Sequence, residues 1–188
     1  QDGHLPSWAP YHQFGYPLYA DLQGPSWNIE AIAFGGTVGH TAYTLQVLFL
    51  AYVTIGGVGM MRFSRTLHGD PTVALVTGMA YALGGFFTGH QMHFYTVISA
   101  AWLPWCFDAV VRMLRTPGVM VAVEAAVVHY LLLTGGNHTF TIMAAYLYAA
   151  LVVAYMVRAF RINGRDGVLR ILGAGALALG LVVLLACG

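Results

Sequence analysis

Apolar residues fall in long runs separated by short polar joints, over roughly 41–63, 71–88, 94–115, 118–134, 138–160 and 168–187. About 20 helical residues cross the hydrocarbon core of a bilayer. Inside lipid a helix satisfies its own backbone polar groups, so each run predicts a transmembrane helix. The joints carry the residues that stop and restart helices: Gly69-Asp70-Pro71, Gly89, Thr116-Pro117-Gly118, Gly135-Gly136 and Asn163-Gly164. Pro71 and Pro117 fall near a first helical turn, where a missing N–H is tolerated. The expected fold class is all-α, a polytopic integral membrane helical bundle of about six transmembrane helices filling residues 37–188.

Residues 1–36 do not continue this pattern. Pro6, Pro10, Pro17 and Pro25 interrupt any helix longer than two turns. Trp8, Tyr11, Phe14, Tyr16, Tyr19 and Trp27 supply rings of the kind that settle at headgroup level. The stretch therefore reads as an outward-facing interfacial loop. The chain opens Gln1-Asp2-Gly3 with no initiator methionine and stops at Leu185-Ala186-Cys187-Gly188 inside an apolar run. It reads as a fragment cut at both ends.

Composition agrees with the runs. Charged residues make up 8% of the chain, against roughly 25% in a soluble domain. Hydrophobic residues make up 59%, lysine is absent and mean hydropathy is +0.70. The bilayer is the expected partner, and a net charge of +1 gives no reason to expect nucleic acid. Cys106 and Cys187 lie in apolar runs without metal-ligand spacing and read as small core residues.

Charge placement sets an orientation. If the runs alternate in direction, Arg62, Arg65, Arg112, Arg115, Arg158, Arg161, Arg165 and Arg170 all fall on one side. The positive-inside rule makes that side cytoplasmic. His4, His12, His40, His90, His93 and His138 then fall outside, with the aromatic loop. The expected location is a membrane crossed several times, with the arginine side facing the cytoplasm.

His40, His90 and His138 recur at near-equal intervals, each with a glycine one or two positions before it and each where an inward-running helix begins. Such a helix start has unpaired N–H groups and a positive dipole end, which suit an anion. An anion site would use His40, His90, His93, Asn137 and His138. The alternative is that these side chains only cap helices in the interface. His90 and His93 are three residues apart, so a divalent metal with Asp2, Asp21 or Glu30 is a further alternative, although nothing requires a metal or other cofactor.

Asp108 and Glu124 are acids inside apolar runs. Asp108 and Arg112 stand at i, i+4 and predict a structural ion pair. Glu124, near mid-span with His129 above it, predicts a functional intramembrane polar group or a partner for another helix. Pro104 removes one hydrogen bond from the helix over 94–115.

Gly3-His4-Leu5-Pro6-Ser7-Trp8-Ala9-Pro10-Tyr11 and Gly15-Tyr16-Pro17-Leu18-Tyr19-Ala20-Asp21 resemble the first outer loop of the bacterial YfhO-type membrane proteins. Tyr81-Ala82-Leu83-Gly84-Gly85-Phe86, Gly89-His90, His93 and Ala101-Trp102-Leu103-Pro104 resemble that family's next signature. Thr134-Gly135-Gly136-Asn137-His138 stands where the family tends to have a Gly-His-Pro-Gln-like turn, and its Asn-His order departs from that turn. The resemblance covers most of the chain in the same order. It implies a fold related to C-type glycosyltransferases, set in a bacterial cytoplasmic (inner) membrane. The implied activity is transfer of a sugar from a polyprenyl-phosphate donor to an extracytoplasmic acceptor in the cell envelope. It also implies that the catalytic acid lies in the first outer loop, in a part that precedes Gln1, with Asp21 the best acid left. The donor phosphate would meet the histidines, and Trp8, Tyr16, Trp102 and Trp105 would offer faces to sugar or lipid. Two other classes compete with this one: a transporter or scaffold using Glu124 and His129 as a polar pathway, and a redox protein with histidine-ligated haem.

Overall fold

A computed structural model describes residues 8–9, 16–17, 28–39 and 41–187. Among the described residues the strands are β1 (Trp8–Ala9) and β2 (Tyr16–Pro17), a two-residue antiparallel ladder. The rest is helical: α1 (Ile29–Thr37), α2 (Ala42–His68), α3 (Pro71–Leu83), α4 (Gly85–Gly89), α5 (Phe94–Arg115), α6 (Val119–Thr134) and α7 (His138–Cys187). Among the described residues, four rods are long and apolar enough to cross a membrane: α2, the α3–α4 pair, α5 and α7. The apolar α6 is shorter.

The helix ends follow from the joints. Thr41 and Thr44 form a capping box at the start of α2, and Gly69, with φ 75°, ends it in the left-handed region that favours glycine. Asp70 then caps α3, accepting from the N–H groups of Thr72 and Val73, with Pro71 in the first turn. Gly84 and Gly85 divide the run over 71–88 into α3 and α4, a common place for a helix to break.

A straight helix of 50 residues would be about 75 Å long, more than twice the roughly 30 Å hydrocarbon core. Gly164, with φ 61° and ψ −145°, breaks α7 into two arms. The first arm runs alongside α5, with Tyr148 on Phe107 at 5.0 Å between ring centroids and the Tyr155 hydroxyl accepting from Arg115. The second arm comes back: Ile171 packs in one cluster with Val110 and Leu114 of α5. Ala174 and Ala178 share a core with Cys106, Ala109, Ala122 and Ala125.

At the centre lies α5, which buries Val97, Ile98, Ala101, Cys106, Ala109 and Leu114, while the other long rods leave most of their apolar side chains outward. It packs against α2, α6 and α7. The outer helices turn Leu45, Leu50, Leu75, Val76, Leu172, Leu179 and Leu184 outward, a display that suits lipid and not water.

Small residues allow the helices to approach closely. A Cβ on Gly78 would lie 2.8 Å from the carbonyl oxygen of Gly57, and one on Gly59 would run into the Trp105 ring. The Trp105 indole lies across α2 there and donates to the Ile55 carbonyl at 2.9 Å.

Pro104 has no N–H to offer the carbonyl of Ala100, one turn earlier. The Tyr81 hydroxyl of α3 donates to that oxygen at 2.8 Å. Polar contacts between membrane helices average about 0.6 kcal/mol and reach about 1.7. Replacing a donor to an orphaned carbonyl belongs at the upper end. Tyr81→Phe should therefore lower stability by about 1–2 kcal/mol, read as an earlier midpoint when the protein is unfolded by SDS in mixed micelles. An unchanged midpoint would show that the carbonyl needs no second partner.

The short α1 falls within the stretch expected as a loop. It begins beyond Pro25, the last proline of that stretch, where nothing prevents a helix. Its first turn reaches into the bundle rather than resting on it, as the contacts of Glu30 show.

Candidate functional site

One end of the bundle gathers the loop 90–93 and the turn before α7. His90 closes α4, stacks on Phe86 at 4.4 Å between ring centroids and places Nδ1 2.9 Å from the Phe86 carbonyl oxygen. The His90 and His93 rings lie 6.2 Å apart. His93 is exposed and precedes α5, whose start has no side-chain cap. His138 opens α7 and is half-buried. Phe140, one turn position on, meets the same Phe86 ring edge-on at 5.9 Å.

Asn137 has a structural task here. Its amide nitrogen donates to Thr96 Oγ1 at 3.0 Å, its amide oxygen accepts from the N–H of Thr139, and its own N–H bonds Ser99 Oγ. Both ends of the side chain are used in capping α7 and tying it to α5. This is the capping role weighed against anion binding. His40 and Asp21 lie outside the described residues, as do His4, His12 and Asp2. Tyr16 is described only in its backbone, paired with Ala9.

Deeper on the same side stands Glu30. Its Oε2 accepts from the Tyr52 hydroxyl at 2.7 Å and from Trp102 Nε1 at 3.2 Å. Trp102 comes eight residues after Phe94 in α5, about 12 Å along the axis. A carboxylate is therefore held by one oxygen between α1, α2 and α5, within the half of the bundle that carries the histidines. Trp102 is committed through its N–H to this carboxylate. Trp105, expected as a second sugar surface, has its indole N–H on α2 and the Arg62 guanidinium 5.2 Å from its ring centroid.

The other half holds four charges in a closed square. Arg62 Nε and Arg112 Nε each lie 2.9 Å from Asp108 Oδ2. Their Nη2 atoms pair with the two oxygens of Glu124. Thr66 donates to the remaining Asp108 oxygen at 2.5 Å. The expected Asp108–Arg112 pair is present, and Glu124 is a partner for arginines of α2 and α5.

Glu124 does not meet His129. At 100° per residue, five positions put their side chains about 140° apart around α6. His129 Nδ1 lies 2.7 Å from the Ala125 carbonyl oxygen, and its ring rests on Tyr148 at 5.4 Å. The polar pathway through these two residues thus has no hydrogen bond or ion pair joining its ends among the described residues.

Among the described residues no three His, Cys, Asp or Glu side chains converge as a group for a metal ion. Sequence reasoning placed Glu30 only as a spare outer acid. The signal for more was its position inside Trp27-Asn28-Ile29-Glu30-Ala31-Ile32-Ala33-Phe34, an apolar stretch where a carboxylate needs donors. No protein-family model, no curated protein and no solved structure matches the chain.

Proposed function

We propose that the chain is the membrane body of a transferase of the bacterial cell envelope. At its histidine end it takes a sugar from a polyprenyl-phosphate donor and passes it to an acceptor outside the cytoplasmic membrane. The observation that carries this reading is the Glu30 carboxylate, fixed by Tyr52 and Trp102 on the same side as His90, His93 and His138. Glu30, rather than Asp21, is then the general base. It accepts the proton of the acceptor hydroxyl while that oxygen bonds the anomeric carbon. The bond from that carbon to the phosphate oxygen breaks, and its electron pair leaves on polyprenyl phosphate. The histidines and the uncapped start of α5 stabilise that phosphate.

His90 makes this testable. Its Nδ1 faces a carbonyl, which only accepts, so geometry assigns the ring hydrogen to Nδ1. Nε2 of the neutral ring then has no hydrogen to give, and only the imidazolium can donate to phosphate. His90→Ala should weaken donor binding by about 1–3 kcal/mol, measured by calorimetric titration of detergent-solubilised protein with a polyprenyl-phosphate sugar. Equal affinity of the variant and the unchanged protein would remove the phosphate site.

In this orientation the arginine end is cytoplasmic and the histidine end lies outside. Gln91→Cys should react with a membrane-impermeant maleimide in intact cells, and Arg165→Cys should react only after lysis. The opposite pattern inverts the topology and puts Glu30 on the wrong side for an external acceptor.

A further inference from the structure

Eight arginines divide into two kinds by their partners. Arg62 and Arg112 belong to the charge square, Arg115 donates to Tyr155 and to the carbonyl of Thr66, and Arg65, in the last turn of α2, is exposed without a side-chain hydrogen bond or ion pair among the described residues. Arg158, Arg161, Arg165 and Arg170 flank the Gly164 break, are all exposed, and make no hydrogen bond or ion pair among the described residues. The only acid of α7 is Asp166, so the turn is strongly basic. Phe160, Ile162 and Leu169, exposed by 59%, 66% and 61%, lie between these arginines. Guanidinium groups interleaved with outward apolar side chains suit one surface. The apolar groups enter the acyl boundary while the guanidinium forks meet phosphate oxygens.

We infer that the turn around Gly164 is a docking surface for the headgroups of anionic phospholipids in the adjoining leaflet. The inference rests on the two apolar arms crossing a bilayer and is independent of any transfer chemistry. Phosphatidylglycerol offers one phosphodiester charge per headgroup, and a zwitterionic headgroup offsets that charge with its own cation. The four arginines around Gly164 gain more from the first, and salt screens the gain.

The test reconstitutes the whole chain in phosphatidylcholine bilayers containing trace spin-labelled phosphatidylglycerol or spin-labelled phosphatidylcholine. Electron paramagnetic resonance then reads the fraction of each label immobilised at the protein. The expected result is a preference for phosphatidylglycerol of about fivefold or more at the strongest sites, the gain from even one arginine near a surface. The preference should fall in high salt. It should vanish in R158Q/R161Q/R165Q/R170Q, while immobilised phosphatidylcholine and helical circular dichroism stay unchanged. Inorganic phosphate, compared with chloride at equal ionic strength, should not displace the label; displacement would mean a site for free phosphate and would overturn the lipid assignment. Equal immobilisation of the two lipids, or a preference that survives the four substitutions, would also overturn it. If the quadruple variant fails to fold, R158Q/R161Q alone should still reduce the preference, and no reduction counts against the surface.

Discussion

Glu30→Gln should reduce sugar transfer by about 10²–10⁴-fold, the usual contribution of a general base, while leaving donor binding and protein yield close to their starting values. The amide is nearly isosteric with the carboxylate, and its oxygen can still accept from the Tyr52 hydroxyl and Trp102 Nε1, which now bond Glu30 Oε2. The contacts that hold α1 against α2 and α5 are therefore kept, and only the capacity to take a proton is lost. Tyr52→Phe makes the complementary change. It leaves the base in place but removes the shorter of its two hydrogen bonds, so transfer should fall less. Both variants are read by following label from a polyprenyl-phosphate sugar into acceptor in membranes carrying the protein. Full-rate transfer by Glu30→Gln would leave Glu30 as a link between helices and deprive the proposed chemistry of its base.

The lengthwise organisation of this fold was legible because helix stops are local. Asp70 beside Pro71 caps α3, Gly69 and Gly164 take positive φ, and Gly135-Gly136 ends the rod before α7. Each of these follows from residues adjacent in sequence. Asp108 and Arg112 were legible for the same reason, being one turn apart on one face. Partners across helices were not. Arg62 and Glu124 are 62 positions apart, and runs that are apolar on all sides carry no stripe to say which face of α2 meets α5. The glycines at 56, 57 and 59 held part of that information, since they mark where α2 meets other helices closely. The separation of Glu124 and His129 around α6 could have been read from their spacing alone. Glu30 was obscured by the prolines before it, which made the whole opening stretch look like a surface loop although the last of them is Pro25.

The charge square should be the most sensitive polar feature of the bundle, with Asp108 its most sensitive member. Its two arginines and two acids sum to zero charge, which lets them sit among apolar helices. The side chains differ in access to water: Asp108 is 1% exposed, against 37% for Arg62, 27% for Arg112 and 31% for Glu124. Removing the buried member leaves two guanidinium groups sharing one carboxylate and frees Thr66 of its acceptor. Breaking a buried pair by deleting one partner costs about 3–5 kcal/mol, and Asp108→Ala should fall in that range. Glu124→Gln should cost less, because solvent already screens its half of the square. Neutrality is restored in the double variant Asp108→Ala/Arg62→Leu, so its loss should be smaller than the sum of the two single losses. SDS unfolding midpoints in mixed micelles give all these values on one scale. If the double variant is merely additive, the four side chains act as separate contacts and not as a neutral unit. If Asp108→Ala unfolds at the unchanged midpoint, the square contributes nothing to holding α2, α5 and α6 together.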